Sequence, residues 1–371
     1  MPISLGIFCH GQLAALSDDY RIIALSSPGP ELDSIAKKEK VDTVGVFMSR
    51  KISPASDLKS LWKLVRVFIK EKPHMVHSMT PKAGILSMLA ARIARVPVRL
   101  HSFTGLLFPT ATGLKKHLFA TCDKIICRCA TNIVAEGQGV KNDLISHGIT
   151  KKEIRVLGFG NVRGINLDYY SVNPKVEAKA PKIREVIGAG PDDFIFLYVG
   201  RIVADKGIDN LVAAFLKLAA SNPRLKLLLV GEYEETDPVS PQTVEAIESS
   251  PAITKTGWVK DTRPYYKVAD ILVFPSRREG FPNVVIEAGA MGLASIVTDI
   301  NGSNEIITHG LNGRIIPRDD LKALTTEMKE LSENPENITD MAKNAREAVA
   351  SRYEQSFVCG NLKDYYKEIL K

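Results

Sequence analysis

No apolar run in this chain approaches the ~20 residues that a membrane-spanning helix needs. The N-terminus, Met1-Pro-Ile-Ser, lacks the basic region of a secretory signal, so a cytoplasmic location is expected. Cysteine is scarce: Cys9, Cys122, Cys127, Cys129 and Cys359 form no even disulfide framework, and Cys127-Arg-Cys129 lacks the two-residue gap of a zinc knuckle. These cysteines read as small buried apolar residues. No metal and no cofactor are expected. Nucleic-acid-binding motifs and aromatic-interleaved basic stripes are missing, as are internal repeats and low-complexity tracts.

What is present is an ordinary globular composition with one asymmetry. The 371 residues are 45% hydrophobic and 25% charged, enough for two domains with separate cores. The net charge is +7, yet residues through Tyr170 carry 24 Lys and Arg against 13 Asp and Glu, and the remainder 25 against 29. An anionic membrane surface accounts for the basic N-terminal half better than nucleic acid does, because each cation contributes ~1 kcal/mol near anionic lipid. Peripheral attachment to the inner face of the plasma membrane is therefore expected. Two segments could supply the contact. In residues 58–70, Leu61, Trp62, Val65, Phe68 and Ile69 fall on one helical face with Lys59, Lys63, Arg66 and Lys70 opposite, a pattern that a sheet-packed helix also shows. In residues 103–129, Leu106, Leu107 and Phe108 read as exposed beside Lys115, Lys116 and His117, the composition of an interfacial segment.

Strand-like and helix-like segments alternate throughout, the pattern of parallel sheets covered on both faces. In the first half strands are expected at 21–25, 41–47, 75–77, 98–102, either 124–130 or 132–135, and 155–157, with helices including 10–16, 30–38, 58–70 and 82–94. The alternation resumes from Phe194 to Ile316, and a last helix covers about 356–370.

Residues 274–304 are the most informative stretch. The run Ile271-Leu-Val-Phe274 suits a strand buried on both faces, and Pro275, Gly280 and Pro282 stop it. Asn283 can then cap a helix through Ala290, whose first amides and dipole favour a phosphate. Glu287 stands about one turn into that helix, so it can face the same cleft as Glu279. A carboxylate accepts two hydroxyl hydrogen bonds, which suits the vicinal diols of a sugar or ribose. Two solvated glutamates near a helix start is the bland alternative.

The segment Arg278-Glu-Gly-Phe-Pro-Asn-Val-Val-Ile-Glu-Ala-Gly-Ala-Met-Gly292 resembles the E-x7-E signature of family 4 retaining glycosyltransferases of GT-B fold. Gly200-Arg201-Ile-Val-Ala-Asp-Lys206-Gly207 is similar to the family's G-R-L-x-x-x-K-G, whose Arg and Lys hold the donor diphosphate. Leu227 to Glu232 with its Gly231 turn, Thr256-Gly-Trp-Val-Lys-Asp261, and Gly302-Ser-Asn-Glu-Ile-Ile307 with Gly310-Leu-Asn-Gly313 follow in the family's order. The resemblance implies two Rossmann-like α/β domains, each a doubly wound parallel sheet, facing a cleft. Residues 1–167 would bind the acceptor, 168–355 would bind the nucleotide sugar, and helix 356–371 would return to the first domain. A chain of this family opens with a strand, whereas Met1-Pro-Ile-Ser-Leu-Gly-Ile-Phe8 reads like the loop after it. Three readings stand: translation starts upstream, which is the one favoured, the sheet lacks that strand, or Ile3–Phe8 fills its place with altered geometry.

The resemblance also assigns roles. Arg201 and Lys206 would stabilise the leaving diphosphate with the amides of Gly280, Phe281, Pro282 and Asn283, Pro282 contributing position but no amide hydrogen. Glu279 would hold the donor sugar, Glu287 the ribose, and Gly200, Gly231 and Val259 would line the donor site. On the acceptor side, Ser4, His77, Thr80, Lys82, Thr104 and Gly105 would gather near His101, an imidazole placed beside the reacting centre. Thr80-Pro-Lys-Ala-Gly84 and Phe103-Thr-Gly105 resemble enzymes that extend polyprenyl-diphosphate-linked sugars in capsule, O-antigen or glycan assembly. The expected partners are a nucleotide diphosphate sugar, most simply a UDP-sugar, and a lipid-linked saccharide. No Asp-x-Asp pair occurs, so transfer without a metal is expected. A nucleotide-sugar epimerase and a non-catalytic assembly partner are the rival readings, since a fold does not fix a reaction.

Overall fold

The computed structural model describes residues 2–49 and 53–371, which divide into two compact units: Met1–Gly164 with Gln355–Lys371, and Ile165–Glu354. The chain passes from one to the other after Gly164 and returns after Glu354.

The first unit begins with α1 (Pro2–Phe8), α2 (Gln12–Ser17), β1 (Ile23–Ser26), α3 (Pro30–Glu39) and β2 (Asp42–Gly45). It continues with α4 (Pro54–Glu71), β3 (Met75–Ser78), α5 (Pro81–Ile93), β4 (Val98–Phe103), α6 (Gly113–Cys129), β5 (Asn132–Ala135) and α7 (Gln138–Ser146). β1 pairs parallel with β2, while β3, β4 and β5 form a separate parallel sheet in that order. One face of that sheet presents Leu100 and Val134 to Leu16 of α2 and to Leu362 and Tyr366 of the last helix. The other presents Phe103 and Ile133 to Leu86 of α5 and Ile126 of α6.

Several expectations change here. The run Ile125-Ile-Cys127, one alternative for a strand, lies inside α6, where Asp123, Ile126, Cys127 and Cys129 are buried at helical spacing; the strand is 132–135. Residues 155–157 contribute a single bridge, Arg155 to Val134. The N-terminal segment is the helix α1, not a loop or strand, and Met1 lies outside the described residues. In α4 the buried face is Ser60, Leu64, Val65 and Phe68, which leaves Trp62 55% and Ile69 57% exposed among the lysines. Leu106 and Phe108, expected on the surface, are core residues packed with Phe103 and Ile126. The exposed apolar side chains of that region are Leu114 and Leu118 of α6.

The second unit contains α8 (Pro174–Glu177), α9 (Ala180–Val186), β6 (Phe194–Val199), α10 (Ile208–Ala219), β7 (Leu225–Val230), α11 (Pro241–Ser249), β8 (Ile253–Lys255) and α12 (Arg263–Val268). There follow β9 (Ile271–Phe274), α13 (Asn283–Ala290), β10 (Ser295–Thr298), α14 (Ser303–Ile306), β11 (Gly313–Ile316), α15 (Leu321–Glu333) and α16 (Glu336–Tyr353); α17 (Gln355–Ile369) belongs to the first unit. All six strands are parallel, in the order β11-β10-β9-β6-β7-β8. Helices cover both faces, so β6 (Phe-Ile-Phe-Leu-Tyr-Val) and β9 (Ile-Leu-Val-Phe) are apolar without alternation. Each such side chain contributes ~1.5–3 kcal/mol by leaving water. The chain runs outward from β6 to β8, then restarts at β9 on the other side of β6. That reversal opens a crevice at the carboxyl ends of β6 and β9, where sheets of this kind bind ligands.

Candidate functional site

Both loops at this crevice carry charge. After β6 come Gly200, Arg201 and a short turn, Ala204–Lys206; after β9 come Pro275, Ser276 and Glu279. Lys206 Nζ and Glu279 Oε1 form an ion pair, each side chain 14% exposed. The Ser276 hydroxyl donates to the same Glu279 oxygen at 2.7 Å. Lys206 Nζ also stands 5.4 Å from the centre of the Phe274 ring, which stacks on Tyr198. The Tyr198 hydroxyl donates to the Arg201 carbonyl at 2.7 Å, and burial together with the Glu279 charge pushes its pKa well above the usual range. It therefore stays a protonated donor.

The two loops are cross-braced. Arg278 Nη2 lies 2.8 Å from Asp205 Oδ2, the Arg277 amide donates to the Asp205 carbonyl at 2.9 Å, and Thr298 Oγ1 donates to the Ser276 carbonyl. Close backbone approach explains two glycines. A Cβ on Gly231 would lie 1.8 Å from the Gly200 carbonyl oxygen, so the turn after β7 reaches the turn after β6 only because Gly231 has no side chain. Gly302, at φ 74°, would bring a Cβ to 2.5 Å from the Gly280 oxygen and 2.7 Å from Phe281 Cα.

The remaining donor-side residues spread around this centre. Pro282 occupies the cap position of α13 and Asn283 is its first helical residue, so Asn283 does not cap as expected. Phe281 is buried with its ring edge on Tyr353 at 5.5 Å. Glu287 is 8% exposed in the second turn and accepts from the Tyr266 hydroxyl at 3.1 Å. Arg201 is 55% exposed and pairs with Glu234 at 2.6 Å. Val259 is half-buried against the core, beside an exposed Trp258. Ser276, Tyr266, Asp205 and Arg278 were not singled out in the sequence. Only the place of Ser276 and Arg278, between the strand end and Glu279, hinted at them.

In the first unit the acceptor-side residues divide. Ser4, His77 and Thr80 line a cavity of about 530 Å³, whereas Lys82, His101, Thr104 and Gly105 are not among its walls. Lys82 pairs with Asp57 at 2.8 Å, and the Thr104 hydroxyl donates to the Met79 carbonyl at 3.1 Å. His77 shares one ring nitrogen with the Tyr366 hydroxyl at 2.6 Å and the other with Ser102 at 2.7 Å. His101 meets the Ser78 hydroxyl at 2.7 Å, its ring occupying the space left by Gly84. Burial lowers the His77 pKa to about 4; burial and then the His77 charge lower that of His101 to about 3. Both rings are neutral near pH 7 and weak bases, better suited to positioning than to proton abstraction.

Residues 179–348 match the family model "Glycosyl transferases group 1", and residues 11–160 match "Glycosyl transferase 4-like domain". The chain belongs to the group 1 glycosyltransferases. This glycosyltransferase is 33% identical over 326 residues to the "Capsular polysaccharide biosynthesis glycosyltransferase CapM" of Staphylococcus aureus, covering 87% of this chain and 84% of that one. It is 25% identical over 337 residues to the Escherichia coli "UDP-Gal:alpha-D-GlcNAc-diphosphoundecaprenol alpha-1,3-galactosyltransferase", covering 89% and 85%. Among solved structures, Anabaena HepE in complex with UDP-glucose superposes with a TM-score of 0.80 at 18% identity, over 98% of this chain and 96% of that one. A glycosyltransferase from Rickettsia africae gives 0.79 at 22% identity, over 100% and 96%. The fold is GT-B, and the enzyme acts on a nucleotide sugar.

Proposed function

We propose that this glycosyltransferase moves a hexose or N-acetylhexosamine from a UDP-sugar to a hydroxyl of a polyprenyl-diphosphate-linked saccharide, with retention of configuration, in surface polysaccharide synthesis. The observation that carries the reading is the contact of Lys206, Glu279 and Ser276 at the β6–β9 crevice. An ammonium has three donors, so Lys206 can keep one on Glu279 and turn the others to a diphosphate. Arg201, on leaving Glu234, adds a planar fork for phosphate oxygens. Both cations, with the backbone amides of Gly280, Phe281 and Asn283, stabilise the charge that builds as the sugar–phosphate bond breaks.

Glu279 accepts from donor sugar hydroxyls and Glu287, held by Tyr266, accepts from the ribose. Gly200, Gly231 and the backbone around Val259 leave room for the nucleoside. The leaving diphosphate takes the acceptor proton on the face it departs from. His101 and His77, with Ser4, Thr80, Lys82, Thr104 and Gly105, position the acceptor. The name of the Escherichia coli galactosyltransferase supports the acceptor class and a UDP donor, and that of the capsular relative supports surface polysaccharide synthesis. Among the described residues no helix is long and apolar enough to cross a membrane. Leu114, 88% exposed, and Leu118 beside Lys115 and Lys116 favour a peripheral contact with the anionic inner face of the plasma membrane.

Incubation with a panel of nucleotide sugars, with and without polyprenyl-diphosphate-linked saccharides, tests the proposal. Release of UDP that needs the lipid-linked acceptor is expected. Conversion of the sugar without an acceptor would point to an epimerase and overturn it.

A further inference from the structure

Lys206 stands on the short turn Ala204–Lys206, between β6 and α10. The turn is anchored at both ends, because Ile202 and Val203 before it and Ile208 after it are buried. Gly207, at φ 71°, comes so close to the loop after β9 that a Cβ there would stand 2.1 Å from the Pro275 carbonyl oxygen. Between these anchors Ala204 and Asp205 belong to no strand, so their amides and carbonyls need partners from other loops.

Two residues supply them, one from each side. β7 and β9 flank β6 in the sheet, and the loops that follow them carry Asp237 and Arg277. The Ala204 amide donates to the Asp237 carbonyl at 3.1 Å, and the Asp205 amide donates to the Asp237 carboxylate at 2.8 Å. On the carbonyl side, Ala204 accepts from Arg277 Nη1 at 3.1 Å and Asp205 accepts from the Arg277 amide at 2.9 Å. Each of the four backbone groups of Ala204 and Asp205 therefore meets one of these two residues. The Gly207 amide and the Ser276 hydroxyl add bonds to the same carbonyls. Arg277 is itself held, its Nε 2.5 Å from Oδ1 of Asp319 in the loop after β11.

We infer that Asp237 and Arg277 are positioning residues that fix the root of Lys206, so that its ammonium reaches Glu279 and the donor diphosphate from one direction. The inference rests on the diphosphate role proposed for Lys206. A lysine side chain is flexible, and its head is only as well placed as the backbone that carries it. Charges that face a transition state act best when already in place, and a misplacement of about 1 Å can cost about 10²-fold in rate. Glu279 draws the ammonium toward the loop after β9, while Asp237, on the other flank of β6, holds the turn by its amides against that pull. Both residues act through the turn and not by touching the donor.

The test compares the 371-residue chain with Asp237→Ala, Asp237→Asn and Arg277→Met, the last of which keeps its backbone amide and most of its side-chain length. Acetylation of Lys206 by an amine-reactive reagent is read by mass spectrometry, with Lys255, ion-paired to Glu248 in the same unit, as reference. Asp237→Ala and Arg277→Met should each raise Lys206 labelling at least about fivefold and leave Lys255 unchanged. Asp237→Asn keeps an oxygen for the Asp205 amide and should label as the native chain does. UDP should bind about tenfold more weakly to Asp237→Ala. In a Lys206→Met background the same substitution should change UDP affinity by less than about twofold, because its effect passes through Lys206. Native labelling of Lys206 in both Asp237→Ala and Arg277→Met would overturn the inference. So would an equal rise at Lys206 and Lys255, or a loss of UDP affinity that persists in full in the Lys206→Met background. Native UDP affinity in Lys206→Met itself would contradict the diphosphate role alone, and the labelling then decides what places Lys206.

Discussion

Lys206 and Glu279 meet across the crevice between β6 and β9, and Ser276 donates to the same carboxylate oxygen at 2.7 Å. The pair lies 73 positions apart in the chain, yet each partner follows the end of a neighbouring strand. The Glu279 carboxylate partners the cation that, under the proposed function, also meets the donor diphosphate. Lys206→Met should lower kcat by about 10²–10³, the usual loss when a group facing developing negative charge is removed. Glu279→Gln should reduce turnover similarly and cost about 1–3 kcal/mol of stability, because Lys206 then stays half-buried without its counter-ion. Stopped-time assays of UDP release and urea unfolding measure the two effects separately.

Tyr266→Phe removes one hydroxyl and nothing else from the surroundings of Glu287. A hydrogen bond to a buried carboxylate contributes about 1.5 kcal/mol, so UDP should bind about tenfold more weakly while kcat changes much less. Calorimetric titration with UDP checks the first and saturation kinetics the second.

Gly302→Ala and Gly292→Ala separate strain from collision. Both glycines have φ near 70°, but only at Gly302 would a Cβ strike backbone, that of Gly280 and Phe281. The Gly292 variant should lose about 1 kcal/mol of stability and keep its UDP affinity. The Gly302 variant should lose more and bind UDP at least tenfold more weakly, since the displaced atoms belong to the donor loop. Denaturation and UDP titration of the two variants side by side provide the comparison.

The pH dependence of stability has a definite sign. His77 and His101 have ordinary pKa values near 6.5 when unfolded, and about 4 and about 3 when folded. The unfolded chain therefore binds more protons below pH 6.5; the stability from burying neutral rings is complete above that pH and is lost as pH falls toward 4 and 3. At pH 5 the loss is on the order of 2 kcal/mol per ring. Asp123, raised by burial to about 7, acts in the opposite sense, its contribution complete below 3.8 and lost as pH rises through 7. Urea midpoints between pH 7 and pH 5 should fall for the native sequence, fall less for His101→Gln and fall more for Asp123→Asn.

Membrane contact has its own signature. The native protein should float with vesicles containing anionic lipid and not with neutral vesicles, and Lys115→Glu with Lys116→Glu should abolish flotation. Leu114→Asp should weaken it as well, through loss of the apolar anchor.

Legibility followed the range of the interactions. Ile271 to Ala290 could be read because strand, stop and helix are each encoded within a few residues, and β6 with its glycine turn likewise. Alternation of burial could not separate helix from strand at Ile125-Ile-Cys127, where β-branched residues happen to fit the buried face of α6. Leu106 and Phe108 looked exposed because lysines follow, while their burial depends on residues as distant as Val140. The pairings of Tyr266 with Glu287 and of Arg278 with Asp205 were invisible for the same reason, since the fold brings those partners together, whereas Ser276 lies only three residues from Glu279.

The most direct test of the central claim is UDP release from UDP-sugars, measured with and without a polyprenyl-diphosphate-linked saccharide, for the native protein and for Glu279→Gln. Release that requires the acceptor and falls at least about 100-fold in the variant is the predicted result. Release that ignores the acceptor, or that survives unchanged in Glu279→Gln, would contradict it.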